Sequence, residues 1–257
     1  MPEIPDLNIF SRNLRKRLLG KTLSLLTVVI PRKLKVPESA LKEALEGQQL
    51  TDITREGKEL HFAFKNSHVL GVHLMLHGAM HWFEQQNENK FTIIEFVFAD
   101  GTGLAISHWQ KAVILTLDPK PVKVPDALNM PDKYLNTALQ KTSDPIKTTL
   151  TSGKFVRGIG NAYVDEILYA AKISPFSKAD KIPKKKIDDL TKSITTVLTD
   201  AEAHISKLFP DTITEKERDF LQVHRPKKKE TLSGEPILTA EIDKRKTYYT
   251  AAQQLFE

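Results

Sequence analysis

The apolar positions change their spacing twice along the first half of the chain. Residues 7–19 repeat at helical spacing and predict an amphipathic helix that Gly20 ends. From Thr22 to Leu117 the apolar residues form short runs rich in β-branched and aromatic side chains, interrupted by one helix at Glu38–Glu46. The predicted strands are Leu23–Ile30, Leu60–Phe64, Val69–Leu74, Phe91–Phe98 and Val113–Leu117. Short strands separated by turn signals predict a β-sandwich or a barrel, which makes 1–117 an N-terminal domain.

The second half of the chain is predominantly helical. The stretch 118–131 holds four prolines and little periodicity, so it is predicted to be a stiff linker. Residues 132–222 have helical periodicity, and the basic tail 223–257 predicts a hairpin between 236–238 and 247–249. The expected fold class is α+β with two domains: a β-sandwich led by an α-helix, and a C-terminal helical domain that ends in a β-hairpin.

The composition narrows the function classes. The 257 residues include no cysteine, which excludes disulfides, thiol catalysis and cysteine-bound zinc. We find no apolar run of bilayer length and no secretory pattern at the N-terminus, so we expect a cytoplasmic protein. A net charge of +6 suits a polyanionic partner. The basic clusters are Arg12–Arg17, Arg32–Lys35, Lys181–Lys186, Arg225–Lys229 and Lys244–Lys246.

The chain begins Met1-Pro2-Glu3, which carries candidate chemistry. Removal of Met1 leaves Pro2 with a free secondary amine, and an α-amine with a pKa of about 7.7–8.0 is partly unprotonated at working pH. Such an amine can attack an electrophilic carbon and form a Schiff base, and Glu3 can carry protons beside it. Many proteins begin with Met-Pro for no chemical reason, so this interpretation depends on the rest of the chain.

A second candidate is the turn Gly158-Ile159-Gly160, followed by a predicted helix near Asn161. Exposed amides at a helix N-terminus bind phosphate readily, and Asn161 can cap the helix or donate its side-chain amide to a phosphate. An ordinary glycine turn between packed helices has the same spacing.

Three separated motifs resemble one family. Gly158–Leu168 followed by Ala171–Pro175 resembles the helix–two-turn–helix signature of the formamidopyrimidine-DNA glycosylase and endonuclease VIII family. Pro2–Pro5 resembles the start of that family, and Arg55–Leu60 resembles its lysine-bearing β-domain segment. The resemblance is collinear to about residue 254. It implies a bifunctional DNA glycosylase and apurinic/apyrimidinic (AP) lyase of base excision repair, which removes oxidised bases and then nicks the strand.

The resemblance also assigns roles to residues. It makes Pro2 the nucleophile, Glu3 the proton-transfer carboxylate and Lys58 an active-site cation. The predicted DNA contacts are Gly160, Lys111, Asn161 and Arg245. The run after the Val69–Leu74 strand matches the family's wedge loop, so Met75, Leu76 and His77 are candidates to fill the gap left by an extruded base. Met75 and Leu76 are equally typical of a protein core.

The chain departs from the family in two places. The four-cysteine zinc finger is missing, and Glu230, Ser233, Thr250 and Gln253 stand where the cysteines fall. The resemblance therefore implies a zincless finger, in which hairpin packing replaces the metal and no residue binds one.

The second departure is the loop His108–Val113, which replaces the family's Asp-Pro-Arg-Arg-Phe-Gly. Lys111 falls at the arginine position and Ala112 at the phenylalanine wedge. We interpret this loop as evidence against tight reading of the opposite base, which favours oxidised pyrimidines as substrates.

The expected partner is damaged double-stranded DNA, with single strands left open. We expect no cofactor, no membrane association and a monomer. Two alternatives remain at this stage. The altered His108–Val113 loop favours a non-catalytic protein that binds lesions or abasic sites on the same fold. The second alternative is an RNA-binding module, since related helix–two-turn–helix elements occur on ribosomal proteins.

Overall fold

The computed structural model describes residues 1–31 and 34–257. Arg32 and Lys33, half of the basic cluster Arg32–Lys35, lie outside the described residues. The chain divides into two compact units. The first unit is Met1–Pro121 with Ser206–Lys216, and the second is Val122–Ile205 with Glu217–Glu257. The segment Ser206–Lys216 therefore belongs with the N-terminal unit, although it lies within the predicted helical region 132–222.

Helix α1 (Ile4–Leu18) opens the first unit, and it starts three residues earlier than its apolar spacing predicts. Glu3 is the N-cap and forms a reciprocal capping box with Asp6, while Pro5 occupies the first turn, where its missing N–H costs nothing. These local signals extend the helix to Ile4. The chain leaves the helix after Leu18, and Gly20 adopts a left-handed φ of +79°.

Two antiparallel sheets follow, with helix α2 (Glu38–Leu45) between the first two strands. The strands are β1 (Leu23–Val28), β2 (Leu50–Glu56), β3 (Glu59–Phe64), β4 (Val69–His73), β5 (Ala79–Glu84), β6 (Thr92–Phe98), β7 (Thr102–Ser107) and β8 (Ile114–Leu117). Within the described ranges they form two four-stranded sheets, ordered β1-β6-β7-β5 and β2-β3-β4-β8. Phe62 of one sheet and Phe96 of the other stack with ring centroids 6.2 Å apart, so the apolar faces meet as a sandwich.

The predicted β-sandwich and its leading helix are confirmed, but β2, β5 and β7 were missed. The sequence of β2 is mostly polar and that of β7 contains a glycine, so pairing with neighbours in the sheet rather than local propensity makes these two segments strands. Strand β5 contains Trp82 and Phe83, which favour a strand, and it was missed despite them. Gly103 of β7 shows the reason directly. A Cβ atom there would lie 2.4 Å from the Phe83 ring of the neighbouring β5, so the glycine makes room for that aromatic side chain.

The second unit contains helices α3 (Tyr134–Ala138), α4 (Ile146–Thr151) and α5 (Asn161–Ala170). It also contains α6 (Lys184–Leu208) as far as Ile205, and the last three residues of that helix belong to the first unit. Strands β9 (Leu238–Ile242) and β10 (Arg245–Tyr249) form a terminal antiparallel hairpin in which Leu238 faces Tyr249. The predicted terminal hairpin and the α+β class are confirmed. In the part of the chain that the structure describes, no helix is both long and apolar enough to cross a membrane.

Candidate active site and nucleic-acid interface

The N-terminal residues are buried at the head of α1. Pro2 is buried, and Glu3 exposes only 2% of its surface. The Glu3 amide donates a 2.9 Å hydrogen bond to the Asp6 carboxylate, which fixes the first turn. The terminal amine of Met1 forms a 2.9 Å ion pair with Glu215 of the same unit. While Met1 is attached, the Pro2 nitrogen is an amide, and removal of Met1 moves the free amine one residue along to Pro2.

Arg55 connects the lysine-bearing hairpin to helix α1. The β2–β3 turn is Gly57-Lys58, and Gly57 has a left-handed φ of +60° that suits a two-residue hairpin. Arg55 Nε donates to Asn8 Oδ1 at 2.6 Å, and its Nη1 donates to the Gly57 carbonyl at 3.0 Å. The Lys58 turn is thereby tied to the first turns of the helix that carries Pro2 and Glu3. Sequence reasoning missed Arg55 as a positioning residue.

A polar cluster that the sequence did not signal lies beside Lys58. His61 Nε2 is 3.2 Å from the Glu59 carboxylate, and this interaction lowers the pKa of Glu59. Burial lowers the pKa of His73, opposed by the charge of Glu59 and reinforced by that of Lys58. His73 Nδ1 accepts a 3.0 Å hydrogen bond from the Met75 amide, which leaves the proton of the neutral ring on Nε2. Glu59 directly follows Lys58 in the chain, so this polar cluster lies close to the β2–β3 turn.

The three wedge candidates in the β4–β5 loop differ in their exposure to solvent. Leu76 is 55% exposed and His77 is exposed, whereas Met75 is half-buried with a left-handed φ of +58°. Gly78 closes the loop, since a Cβ atom there would lie 2.2 Å from the Leu74 carbonyl oxygen. A tight turn over Leu74 therefore lifts Leu76 and His77 out of the sandwich.

The altered β7–β8 loop is a turn closed by two hydrogen bonds. The His108 carbonyl accepts from the Lys111 amide at 2.9 Å, and His108 Nδ1 accepts from the Gln110 amide at 3.0 Å. His108 is only 1% exposed, whereas Trp109 at the corner is 55% exposed. Lys111, the predicted DNA contact in this loop, is exposed and has a φ of +56°.

The His108 ring is expected to titrate below its ordinary pKa of 6.5. Burial lowers this pKa, and the charge of the nearby His77 lowers it further. The folded state favours the neutral ring, so the contribution of His108 to stability is complete above pH 6.5 and declines as the pH falls through its folded pKa. NMR titration of the ring carbon resonances measures the midpoint. A midpoint at or above 6.5 would contradict this account.

In the second unit, the glycine turn leads into α5 as predicted, but Asn161 does not cap the helix. Gly160 is the N-cap, and Gly158 has a φ of +97° that favours glycine. The Asn161 side-chain amide donates a 3.0 Å hydrogen bond to the Lys246 carbonyl of the terminal hairpin. Both glycines are buried. The turn and the hairpin are therefore held together by the residue predicted to contact a phosphate.

Two buried carboxylates on α5 organise the residues around this turn. Asp165 forms a 2.7 Å ion pair with the buried Lys147 and a 2.8 Å contact with His224. Glu166 accepts hydrogen bonds of 2.7–2.8 Å from the amides of residues 222–224. Burial raises the pKa of Glu166, and these three amides oppose the rise. Sequence reasoning did not identify this network, which fixes the loop and hairpin against α5.

The tip of the hairpin is fastened to α4. Arg245 Nη1 donates to Thr151 Oγ1 at 2.5 Å, and Thr148 Oγ1 donates to Asp243 Oδ2 at 2.5 Å. The Lys246 carbonyl also accepts from the buried Lys147 ammonium at 3.2 Å. Arg245 remains exposed despite its contact. The second unit thus has an exposed arginine at a hairpin tip that hydrogen bonds hold to α4.

Polar side chains stand in the finger where the family has cysteines. Thr231 Oγ1 lies 2.9 Å from Ser233 Oγ and accepts from the Glu235 amide at 3.0 Å. Gln253 accepts from the Thr250 amide and donates to the Ile173 carbonyl, both at 2.8 Å. These hydrogen bonds close the two turns of the finger. Across the described residues there is no group of three or more His, Cys, Asp or Glu side chains that fits a metal ion.

Comparisons with known proteins agree with this arrangement. The formamidopyrimidine-DNA glycosylase N-terminal domain matches residues 1–112, and the H2TH domain of the same glycosylase matches residues 122–208. The formamidopyrimidine-DNA glycosylase of Lactobacillus helveticus is 30% identical over 213 residues, which cover 78% of this chain and 77% of that protein. The Bacillus cereus protein of the same name is 31% identical over 216 residues, with 78% of each chain covered.

Solved structures give the same result. The Lactococcus lactis Fpg in complex with DNA containing an abasic site aligns with a TM-score of 0.87 at 25% identity, covering 98% of this chain and 100% of that one. MutM in complex with DNA containing carbocyclic 8-oxo-G aligns with a TM-score of 0.88 at 25% identity and the same coverage.

The two family-model matches, the relatives and the shared fold define a DNA glycosylase of base excision repair with AP lyase activity. The chain belongs to the formamidopyrimidine-DNA glycosylase family.

Proposed function

We propose that this glycosylase removes oxidised bases through a Schiff base on Pro2 and then cleaves the strand by β-elimination. The observation that carries the proposal is the arrangement at the head of α1. Pro2 and Glu3 are buried there, and Arg55 ties the Lys58 turn to the same helix through Asn8. The residues proposed as nucleophile, proton-transfer carboxylate and cation thus belong to connected elements of one unit, which supports the proposal.

The chemistry follows from these groups. The secondary amine of Pro2 attacks the sugar C1′ and expels the base, and Glu3 transfers the protons that ring opening and base departure require. The resulting iminium carries a permanent positive charge. It therefore accepts the electron pair left at C2′ when a proton is lost there, which makes the C2′ hydrogen more acidic. Loss of that proton expels the 3′ phosphate. Lys58 stabilises negative charge on the phosphate or the leaving group.

Damaged double-stranded DNA is the partner. Lys111 and Arg245 are exposed cations suited to phosphates, and Gly160 and Asn161 form the start of helix α5, where backbone amides favour anions. Leu76 and His77 project from their loop to fill the space of an extruded base. Since its relatives are bacterial repair enzymes, we place the activity in the cytoplasm, on nucleoid DNA.

Borohydride trapping tests the proposal on a panel of duplex and single-stranded oligonucleotides. The panel carries oxidised pyrimidines, oxidised purines or an abasic site. We expect a covalent complex with lesion duplexes, and stronger trapping on oxidised pyrimidines than on 8-oxoguanine opposite cytosine. Lesion-selective binding without trapping or cleavage on any substrate would instead establish the non-catalytic alternative. Competition by structured RNA, without competition by nicked DNA, would establish the RNA-binding alternative.

Replacing Arg245 by alanine is expected to weaken DNA binding. The guanidinium is exposed on the hairpin tip, so its loss removes about one phosphate contact and lowers the slope of log K against log salt by about 0.9. Titrations from low to moderate salt measure both quantities, and Arg245→Lys serves as the charge-preserving comparison.

Lys244→Ala is the matched control, because Lys244 is the neighbouring exposed cation. It is expected to change the slope less than Arg245→Ala does. Equal effects from the two variants would show that the tip acts only through its overall charge, and would remove the specific role of Arg245.

A further inference from the structure

We propose that Trp109 is the aromatic wedge of this enzyme, inserted beside the base opposite the lesion while Leu76 occupies the space of the extruded nucleotide. The inference rests on the proposed function. Ala112, which stands at the family's phenylalanine position, is half-buried and carries one methyl group. Trp109 supplies an exposed ring three residues earlier in the same loop.

The two loops place their exposed apolar side chains together. The ring centroids of His77 and Trp109 are 5.6 Å apart with a tilt of 44°. His77 in turn meets the edge of His108 with centroids 6.2 Å apart and a tilt of 73°. These separations are those of interacting aromatic rings. Because His77 directly follows Leu76, it links Leu76 of the β4–β5 loop to Trp109 of the β7–β8 loop.

The ring of Trp109 is presented on a turn that several hydrogen bonds close. It is the second residue of the turn His108–Lys111, which is closed by a backbone hydrogen bond and by the His108 ring. The His108 amide also donates to the Phe91 carbonyl at 3.0 Å, so the base of the turn is fixed to the strand region. A wedge on such a turn loses little conformational freedom when it enters the base stack.

The exposed ring of Trp109 is suited to stacking on a nucleic-acid base. An aromatic ring gains about 1–3 kcal/mol by stacking on a base, as measured by alanine substitution, which corresponds to roughly 5–150-fold in affinity. Every base has a π-face, so a stacking indole tolerates all four opposite bases. Two residues further along the same loop, the exposed Lys111 offers a cation to a backbone phosphate. An apolar ring beside a cation fits the nucleic-acid gap and its flanking phosphate.

Fluorescence of Trp109 tests the wedge directly. The chain has two tryptophans, so Trp82→Phe leaves Trp109 as the only indole and keeps an aromatic ring beneath Arg17. We expect its emission to be quenched at saturation with a duplex that carries a tetrahydrofuran abasic analogue, and much less with the undamaged duplex. Unchanged emission in the saturated lesion complex would overturn the proposal.

Binding measurements provide the second test. Trp109→Ala is expected to weaken binding to the abasic duplex about tenfold with any of the four opposite bases, and Trp109→Phe to remain close to wild type. Leu25→Ala is the control, because Leu25 is a large exposed apolar residue on β1. Equal affinities for Trp109→Ala and Leu25→Ala would also overturn the proposal.

The two proposals fail separately. A protein that is trapped through Pro2 but shows no response at Trp109 lacks this wedge and keeps its catalytic assignment. A protein whose Trp109 is quenched by lesion DNA, but which forms no trapped complex, has the wedge without the Schiff-base chemistry.

Discussion

Replacing Pro2 by glycine is expected to remove most of the borohydride-trapped complex with lesion DNA. The variant retains an N-terminal amine, but that amine is primary, so its imine must be protonated before it can accept electrons. The proline iminium has its positive charge at every pH. We therefore expect the largest loss above neutral pH, measured as the yield of covalent complex against time. A variant trapped at the wild-type yield across this range would contradict the nucleophilic role of Pro2.

The trapped wild-type complex can be assigned without a variant. Trypsin cleaves after Arg12, and the fragment Pro2–Arg12 contains no lysine. Once Met1 has been removed, the N-terminal nitrogen of Pro2 is the only amine in this fragment, so DNA found on it must be attached there. Attachment of the DNA to a lysine-containing peptide, such as the one with Lys58, would show that a lysine and not Pro2 is the nucleophile. Protein that keeps Met1, identified by its intact mass, is expected to remain untrapped.

Glu3→Gln is expected to slow base removal by about 10²–10⁴-fold and to leave DNA binding nearly unchanged. A general acid–base group contributes on this scale, and glutamine cannot transfer the proton. Glu3 is 2% exposed and is also the N-cap of α1, so a structural effect must be distinguished from a chemical one. Single-turnover kinetics on a lesion duplex measure the rate of the chemical step.

The glutamine oxygen can still accept a hydrogen bond from the first turn, so the capping box is preserved and the urea midpoint should match that of wild type. Glu84→Gln makes the same change on an exposed side chain of β5 and is expected to keep the wild-type rate. If Glu3→Gln removes bases as fast as Glu84→Gln does, Glu3 has no part in proton transfer.

Local signals were sufficient for the elements whose residues carry their own structural preference. Helix α2 was predicted at Glu38–Glu46 and occurs at Glu38–Leu45. The terminal hairpin was predicted between 236–238 and 247–249, and it pairs Leu238–Ile242 with Arg245–Tyr249. Strands such as β7 were missed. Strand β7, with Gly103, is stable because β5 and β6 pair with it on its two sides. The local sequence of β7 does not indicate that these two strands will flank it.

The same distinction applies to the candidate site. Pro2 was identifiable because an N-terminal secondary amine has its chemistry wherever it lies, and the glycine turn was identifiable because Gly158 needs a left-handed φ. The missing cysteines likewise exclude a thiolate zinc site from the sequence alone. Backbone preference and intrinsic reactivity belong to single residues, and a sequence displays both.

Proximity between distant residues was decided by tertiary packing alone. Arg55 reaches Asn8 across 47 positions of the chain, and Lys147 meets Asp165 in the interior of the second unit. The proposed wedge role of Trp109 depends on the packing of the His77 ring against it, which only the tertiary structure provides. Loop closure brings such groups together only after the sheets and helices have packed, and that packing is a collective result of many weak contacts. The opening Met1-Pro2-Glu3 therefore indicated the type of reaction from the sequence, while the tertiary structure determined which residues surround Pro2 and Glu3.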